Sequence, residues 1–525
     1  MEHRKIQWQM CLVTVAALLA LTAAPAVAAI LVVDDDGLAS ATDCNAATLA
    51  FPTITLAVAA ASPSDTIKVC PGLYAEQVSI NKTLTLQGAQ ATVDARTRVT
   101  LPADESIIDH PCGPVQITAD NVTLDGFTVQ GSTLSDPCFL AGIWTNPGSS
   151  GTQGGHQIKN NIVQNNISGI ELDSTCAANP TLVQFNLIQN NNNPGPGAGN
   201  GIQTNFGLCN ADIDSNKFSG HTNSSVLVSS GGDDQQITIS NNELVGGTLE
   251  RIIFGSVDNS AIVGNTSIGS TSSGTIRLFG GNNNIAIDSN VLRNGMRGIR
   301  VDDVGIAPNT GVTASTNCIQ GNTVAGLEAE TGGHTGTLNA QSNWWGSATG
   351  PTNVNNPGGT GDAVVDSDGV VDFTPFLTSP PPLPSCPAAP TPNTPGKVTG
   401  GGKISVVGGQ ATFSFAVTCC DPKGSLEYND QSAANVRIKA TSISTLVISS
   451  PSSACPTNPT GNHAKFTGMA TQSNAIGSVT FTVDVDDCGE PGSSKAGGPD
   501  MFSISTSAGY TASGPLIGGN VQIRK

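Results

Sequence analysis

One asparagine recurs through the middle of this 525-residue chain at a spacing that leaves few architectures open. Asn161, Asn186, Asn216, Asn242, Asn265, Asn290, Asn317 and Asn343 are separated by 25, 30, 26, 23, 25, 27 and 26 residues. Each closes the same phrase: an apolar residue, two small or polar residues, Asn, any residue, an apolar residue. It reads so in Ile158 to Val163, Val183 to Ile188 and Ile213 to Phe218. Alternation on either side of the Asn has the period of a strand, not a helix. A second apolar pulse follows in each unit, as at Ile170/Leu172, Val226/Val228 and Ile299/Val301. Three short strands per unit make a coil, and eight units in register make a stacked solenoid. The fold expected is all-β, a parallel β-helix of about ten coils. Asn tolerates a left-handed backbone, so the repeated Asn is expected at the sharp corner itself. Stacked amides can also hydrogen-bond from coil to coil.

The ends of the chain read differently. Residues 1–29 have the form of a secretory signal, with Arg4 and Lys5, an apolar run from Cys11 to Leu21, and Ala26-Val27-Ala28 as a small-x-small cleavage site. No later stretch is long and apolar enough to span a membrane as a helix. The protein is therefore expected to be exported, to the extracellular space, cell surface or periplasm. Without Cys11 twelve of the 13 cysteines remain, an even number that together with export favours disulfides over metal ligation. Cys44 and Cys70 flank a short helix and can staple it. Cys112/Cys138 and Cys176/Cys209 are local pairs, leaving Cys318 to reach Cys386. Cys419, Cys420, Cys455 and Cys488 allow three pairings, with adjacent Cys419 and Cys420 unsuited to each other. Only 12% of residues are charged, yet the net charge is −18, which disfavours nucleic acid as a partner. Nothing in the pattern specifies an oligomeric state.

From Thr53 the residues Ile54, Ala57, Val58 and Ala61 share one helical face until Pro63, so an amphipathic helix is expected to cover the open end of the solenoid. Phe51-Pro52-Thr53-Ile54, Ser64-Asp65-Thr66-Ile67, Pro71-Gly72-Leu73-Tyr74 and Ile80-Asn81-Lys82-Thr83-Leu84-Thr85-Leu86 resemble the opening of right-handed β-helix proteins of the pectin-lyase-like superfamily. The likeness is greatest to its bacterial exported branch of carbohydrate-binding and sugar-hydrolysis domains. Asn343-Trp344-Trp345-Gly346, Gly350-Pro351 and the run from Asn356 to Phe376 resemble the closing of such helices. The resemblance spans residues 30–377 and implies a right-handed coil and a carbohydrate ligand. Residues 101–112, 147–155 and 190–201 exceed normal turns and are expected to be loops on the wall.

Residues 378–396 form a Pro-rich linker. Beyond it, residues 397–525 change to alternating strands, at Thr412–Val417, Ser425–Tyr428, Val436–Ile448, Val479–Val485, Phe502–Thr506 and Asn520–Ile523. These are expected to make an antiparallel β-sandwich. Its segments Val398 to Gly402, Gly424 to Tyr428 and Gly518 to Val521 resemble a small C-terminal β-domain of bacterial exported proteins.

The candidate site is expected on the outer side of the second strand of each coil, where neighbours stack about 4.8 Å apart. One outward column reads Trp144, Glu171, Gln203, Leu227, Ile253, Arg277, Arg300, Glu328. The next reads Asn146, Asp173, Asn205, Ser230 or a neighbour, Ser256, Gly280, Asp302, Glu330. A ring beside amides, guanidinium groups and carboxylates suits a sugar, and the resemblance implies the same face. The substrate-binding candidates are thus Trp144, Glu171, Asp173, Gln203, Asn205, Arg277, Arg300, Asp302, Glu328 and Glu330. Asp302 and Glu330 on successive coils would lie roughly 5 Å apart, a retaining-glycosidase separation. Arg300 is the alternative, as the base of a lyase. Against both stands plain neutralisation of opposite charges along the stack. The Asn-Thr-Asp, Arg-Ile-Lys and Arg-x-Pro-x-x-Arg patterns of pectinolytic relatives are missing. No cofactor is implied; Asp366-x-Asp368-Gly369-x-x-Asp372 has the flavour of a calcium loop without its full spacing. The expected function is an exported β-helix that binds polysaccharide or a cell-surface glycan, with lyase or hydrolase activity open. The alternative is a non-catalytic structural or adhesive solenoid.

Overall fold

Successive units of the repeat pair in parallel, strand on strand, through a run of coils. In one coil Gln157–Lys159, Ile162–Gln164 and Ser168–Glu171 each enter a different sheet. The computed structural model describes residues 28–98, 102–135, 138, 140–145, 153–176, 179–245, 249–270, 273–386, 396–419, 423–449, 455, 462–475, 478–489 and 499–524. Among these the three parallel sheets hold 15, 11 and 10 strands. The expected signal segment falls almost wholly outside the described residues, as do Asn146, Cys420 and residues 147–152. The chain divides into two compact units, Met1–Trp345 with Thr349–Leu377, and Gly346–Ala348 with Thr378–Lys525.

The first unit is a parallel β-helix whose interior is a continuous apolar column set, including Ile158, Val183, Ile213, Ile239, Ile262 and Ile287, all 0% exposed. The repeated asparagines lie at the corner between the first two sheets, buried, and join coil to coil. The Asn186 backbone N–H and Nδ2 both donate to Asn216 Oδ1, at 3.0 and 2.9 Å, and its Nδ2 also donates to the Ile158 carbonyl. The same pattern continues through Asn242, Asn265, Asn290 and Asn317 to Asn343. In the coil before Asn161, Phe127 holds the position and its N–H donates to Asn161 Oδ1.

The left-handed residue is not this asparagine but the one before it. Asn160, Phe185, Ser215, Asn241, Gly264, Ser289, Thr316 and Ser342 all have φ between 53° and 68°. The corner thus splits two demands: one residue turns the backbone, and the next turns its amide inward to bridge the coils. A second corner is built alike. Asn165 and Asn190 are left-handed, and Asn166 Nδ2 donates to Asn191 Oδ1 at 3.0 Å. Later the imidazole of His221 takes this column, 3.1 Å from the Ile188 carbonyl.

At the N-terminal end a helix, Ile54–Ala60, buries Ile54, Ala57 and Val58. Both of its ends are satisfied by the solenoid. Glu76 accepts from the N–H groups of Ile54 and Thr55, and Lys82 Nζ donates to the carbonyls of Val58, Ala59 and Ala61, the arrangement the helix dipole favours. Part of the stretch expected as a loop is regular structure: Ser106–Asp109 is a strand pairing with Gly72–Tyr74 and Phe127–Gln130. Disulfides join Cys44–Cys70, Cys112–Cys138, Cys176–Cys209 and Cys455–Cys488; Cys318, Cys386 and Cys419 are disulfide-bonded too. Among the described residues no helix is long and apolar enough to cross a membrane.

The second unit is a closed antiparallel barrel of eight strands rather than a sandwich. Its first strand, Lys397–Val406, pairs with its last, Thr511–Arg524. Glycines fill this seam, Gly401 opposite Asn520 and Gly402 opposite Gly519. A Cβ on Gly402 would stand 2.5 Å from the Gly518 carbonyl oxygen, so the two backbones approach as only glycine permits. The interior is packed with Phe413, Phe415, Phe466, Phe481 and Phe502. On its outer surface His463 lies 2.9 Å from Asp486 and 3.5 Å from Asp484.

Two measurements test these accounts. Asn265→Ala should destabilise by about 2–4 kcal/mol in urea unfolding, since buried donors on Asn242 lose their acceptor. Thr316→Asn should instead stabilise by about 1 kcal/mol, because a β-branched residue holds a left-handed φ there. Opposite signs are required; equal effects would refute the division of labour at the corner. Hydrogen bonds to Asp484 and Asp486 raise His463 from 6.5 to about 9. Its contribution to stability is therefore complete below pH 6.5 and lost as pH rises through 9. An imidazole NMR titration should place its midpoint near 9, and in the Asp484→Asn/Asp486→Asn variant well below that.

Candidate functional site

Strand register puts the outer column of the third sheet in one line. Trp144 pairs with Glu171, Glu171 with Gln203, Gln203 with Leu227, Leu227 with Ile253, Ile253 with Arg277, Arg277 with Arg300, and Arg300 with Glu328. The second column differs in two places. Two residues beyond Ile253 and Arg277 stand Gly255 and Phe279, not Ser256 and Gly280, and Asp302 and Glu330 continue that line. A Cβ on Gly255 would meet the Phe279 ring at 2.4 Å, so this ring lies over the preceding coil. The Arg277 guanidinium sits over the same ring, 5.8 Å from its centroid.

The wall has two ends with different characters. At the first, Trp144 is half-buried and Glu171 is 1% exposed. Gln203 Nε2 donates to Glu171 Oε1 at 2.7 Å, and Asn200 Nδ2 donates to Gln203 Oε1 at 2.7 Å. The segment 190–201 folds over this end, since a Cβ on Gly197 would stand 2.4 Å from Gln203 Nε2. Burial pushes the Glu171 carboxyl from 4.5 up to about 7, against the bond from Gln203. Asp173 is fully buried and accepts from the N–H groups of Asn205 and Phe206, both at 2.8 Å. It organises the turn after the strand, while Asn205 itself is exposed.

At the other end the charges are paired. Arg277 Nη2 lies 2.7 Å from Asp302 Oδ2 and its Nη1 3.4 Å from Glu250. Arg300 Nη2 lies 3.0 Å from Asp302 and 2.7 Å from Glu330. Glu328 pairs with Arg297 instead of its register neighbour Arg300. Asp302 is 3% exposed at its side chain beneath two guanidinium groups, whereas Glu330 is 39% exposed. Glu250, Arg297 and Phe279 were not among the residues singled out from sequence. Phe279 follows from counting two places past Arg277; the other two stand before the apolar pulse and carry no periodic signal.

The carboxylates of the calcium-loop-like segment accept hydrogen bonds from the chain itself. Asp366 accepts from the N–H groups of Val370 and Val371, Asp368 from Gly332, and Asp372 from Thr374 and Gln341. Among the described residues the groupings of three possible ligands are Asp34 with Cys44 and Cys70, and Asp233 with Cys176 and Cys209. Both contain a disulfide, whose sulfurs are not thiolate ligands.

No family model matches the chain, and no curated protein matches it. Among solved structures it is similar to a pectin methylesterase from Aspergillus niger, at 14% identity over 52% of this chain and 78% of that one, with a TM-score of 0.25. It is also similar to the enzymatically active domain of tailspike protein 2 of bacteriophage CBA120, at 11% identity over 87% and 71%, TM-score 0.30. A third is the gp42 tailspike of Acinetobacter phage vb_AbaP_AS12, at 9% identity over 86% and 76%, TM-score 0.24.

The raised Glu171 has a consequence for stability. Protonation favours the folded state, so its contribution is complete below pH 4.5 and lost as pH rises through 7. Glu171→Gln removes that dependence. The urea midpoint of the variant relative to wild type should climb between pH 4.5 and 7 and then level off; a constant difference across this window would refute a buried, proton-retaining Glu171.

Proposed function

We propose that this protein is an exported, right-handed β-helix of the pectin-lyase-like kind that binds a polysaccharide along the outer face of its third sheet. The observation that carries the reading is the unbroken register from Trp144 to Glu328. It aligns the Trp144 ring at one end and the ion pairs at the other on one sheet, with Glu171 and Gln203 between them under segment 190–201. The repeat grammar and the disulfides support export of a solenoid of this kind.

Binding is proposed in preference to turnover. Arg300 donates to both Asp302 and Glu330, so it would have to break two ion pairs to act as a base. Asp302 accepts from Arg277 and Arg300 together and serves as their counter-ion. Neither is placed as a free acid, base or nucleophile.

Retention on a panel of immobilised polysaccharides tests the proposal. Wild type should be retained by at least one polymer without releasing new reducing or unsaturated ends. Trp144→Ala should weaken that retention about tenfold, or about 1.4 kcal/mol. Unchanged retention in this variant would leave the wall as scaffold alone, and new chain ends would restore the enzymatic reading.

A further inference from the structure

The charged half of the wall carries information about which glycan it would take. We infer that the ligand is a neutral polysaccharide rather than a uronate polymer; this rests on the proposal that the wall binds glycan at all. Three arginines, 277, 297 and 300, face four carboxylates, 250, 302, 328 and 330. Their sum is one negative charge, on a chain whose net charge is already −18.

Capture of a carboxylate by arginine needs a free fork of N–H groups. None is presented by the two central arginines. Arg277 directs Nε and Nη2 to Asp302 and Nη1 to Glu250. Arg300 directs Nε to Glu330, Nη2 to Asp302 and Glu330, and Nη1 to the Ser273 hydroxyl. Arg297 is held by Glu328 and by the Ser273 carbonyl. Arg251, which has no carboxylate partner among the described residues, is 2% exposed and out of reach of a polymer.

What this surface does offer is acceptors. The Glu330 side chain is 39% exposed, and that of Glu328 15% exposed. Sugar hydroxyls donate to carboxylates in charge-assisted hydrogen bonds. The half-buried ring of Phe279 stands on the same line, over the coil of Gly255, for a sugar's C–H face. A uronate would instead meet like charge, where Arg277 and Arg300 are already held by carboxylates.

The full chain should be run in affinity electrophoresis through neutral polymers (a glucan, a mannan, a xylan), uronate polymers (polygalacturonate, alginate) and an amino polymer (chitosan), at low and high salt. The inference expects retardation by a neutral polymer that changes less than about twofold with salt, and weaker retardation in Glu330→Gln. Salt-sensitive retardation by a uronate polymer, strengthened in Glu330→Gln as Arg300 is released, would overturn it while leaving the wall as the binding face. Salt-sensitive retention by chitosan alone would also overturn it. Failure to interact with any polymer would overturn the wall reading itself, and the inference with it.

Discussion

The β-helix depends on what its buried asparagine amides do at the corner. A parallel stack satisfies its strand amides by pairing coil with coil, but the chain must turn between sheets, where backbone groups lose their partners. Asn186 supplies what the turn removes: its Oδ1 accepts two bonds from Asn161, and its Nδ2 donates both to the Ile158 carbonyl and to Asn216. Because each amide is donor to one coil and acceptor from another, the column is satisfied only when every coil contributes. Buried amides without partners would cost about 1–3 kcal/mol each, so the ladder makes the stack cooperative across coils. The second column, through Asn166 and Asn191, does the same at the next corner.

This division explains which parts of the fold were legible in sequence. The spacing of the asparagines identified the coils because a ladder position tolerates little besides an amide. The residue that actually bends the chain was hidden, since Asn160, Phe185, Ser215, Gly264 and Thr316 share no chemistry. Left-handed strain of about 1–2 kcal/mol can be absorbed by a cooperative stack, so the position is not selected for one residue type. The barrel shows the reverse difficulty. Strand alternation marked its apolar interior, but closure lies where Gly400-Gly401-Gly402 run against Val521, Asn520 and Gly519, with too few side chains to show alternation. Without that seam, six visible strands read as a sandwich.

On the wall, the register of the outer column was readable because it follows from the inward apolar column by a shift of one residue. Charge pairing and burial were not. Glu171 and Asp173 look like exposed acids in a strand pattern, yet segment 190–201 covers the first, and the second is consumed by a turn. Periodicity predicts which face a side chain takes; it does not predict what another part of the chain lays over it.

The same limit governs the chemistry. Read as letters, Arg300, Asp302 and Glu330 are a base, an acid and a nucleophile in waiting. Read with their distances, they are a chain of mutual counter-ions in which each group's reactivity is reduced by its neighbours. A catalytic site sets the environments of its titratable groups apart; this stripe brings opposite charges into contact and holds them as ion pairs. Glu171 and Asp173 are wall groups whose environments do stand apart, and both are buried, Glu171 held by Gln203 under the loop above it. Rigidity and hydrogen-bonding capacity are therefore the properties this wall has in quantity, and they are the properties on which binding an extended, uncharged chain depends.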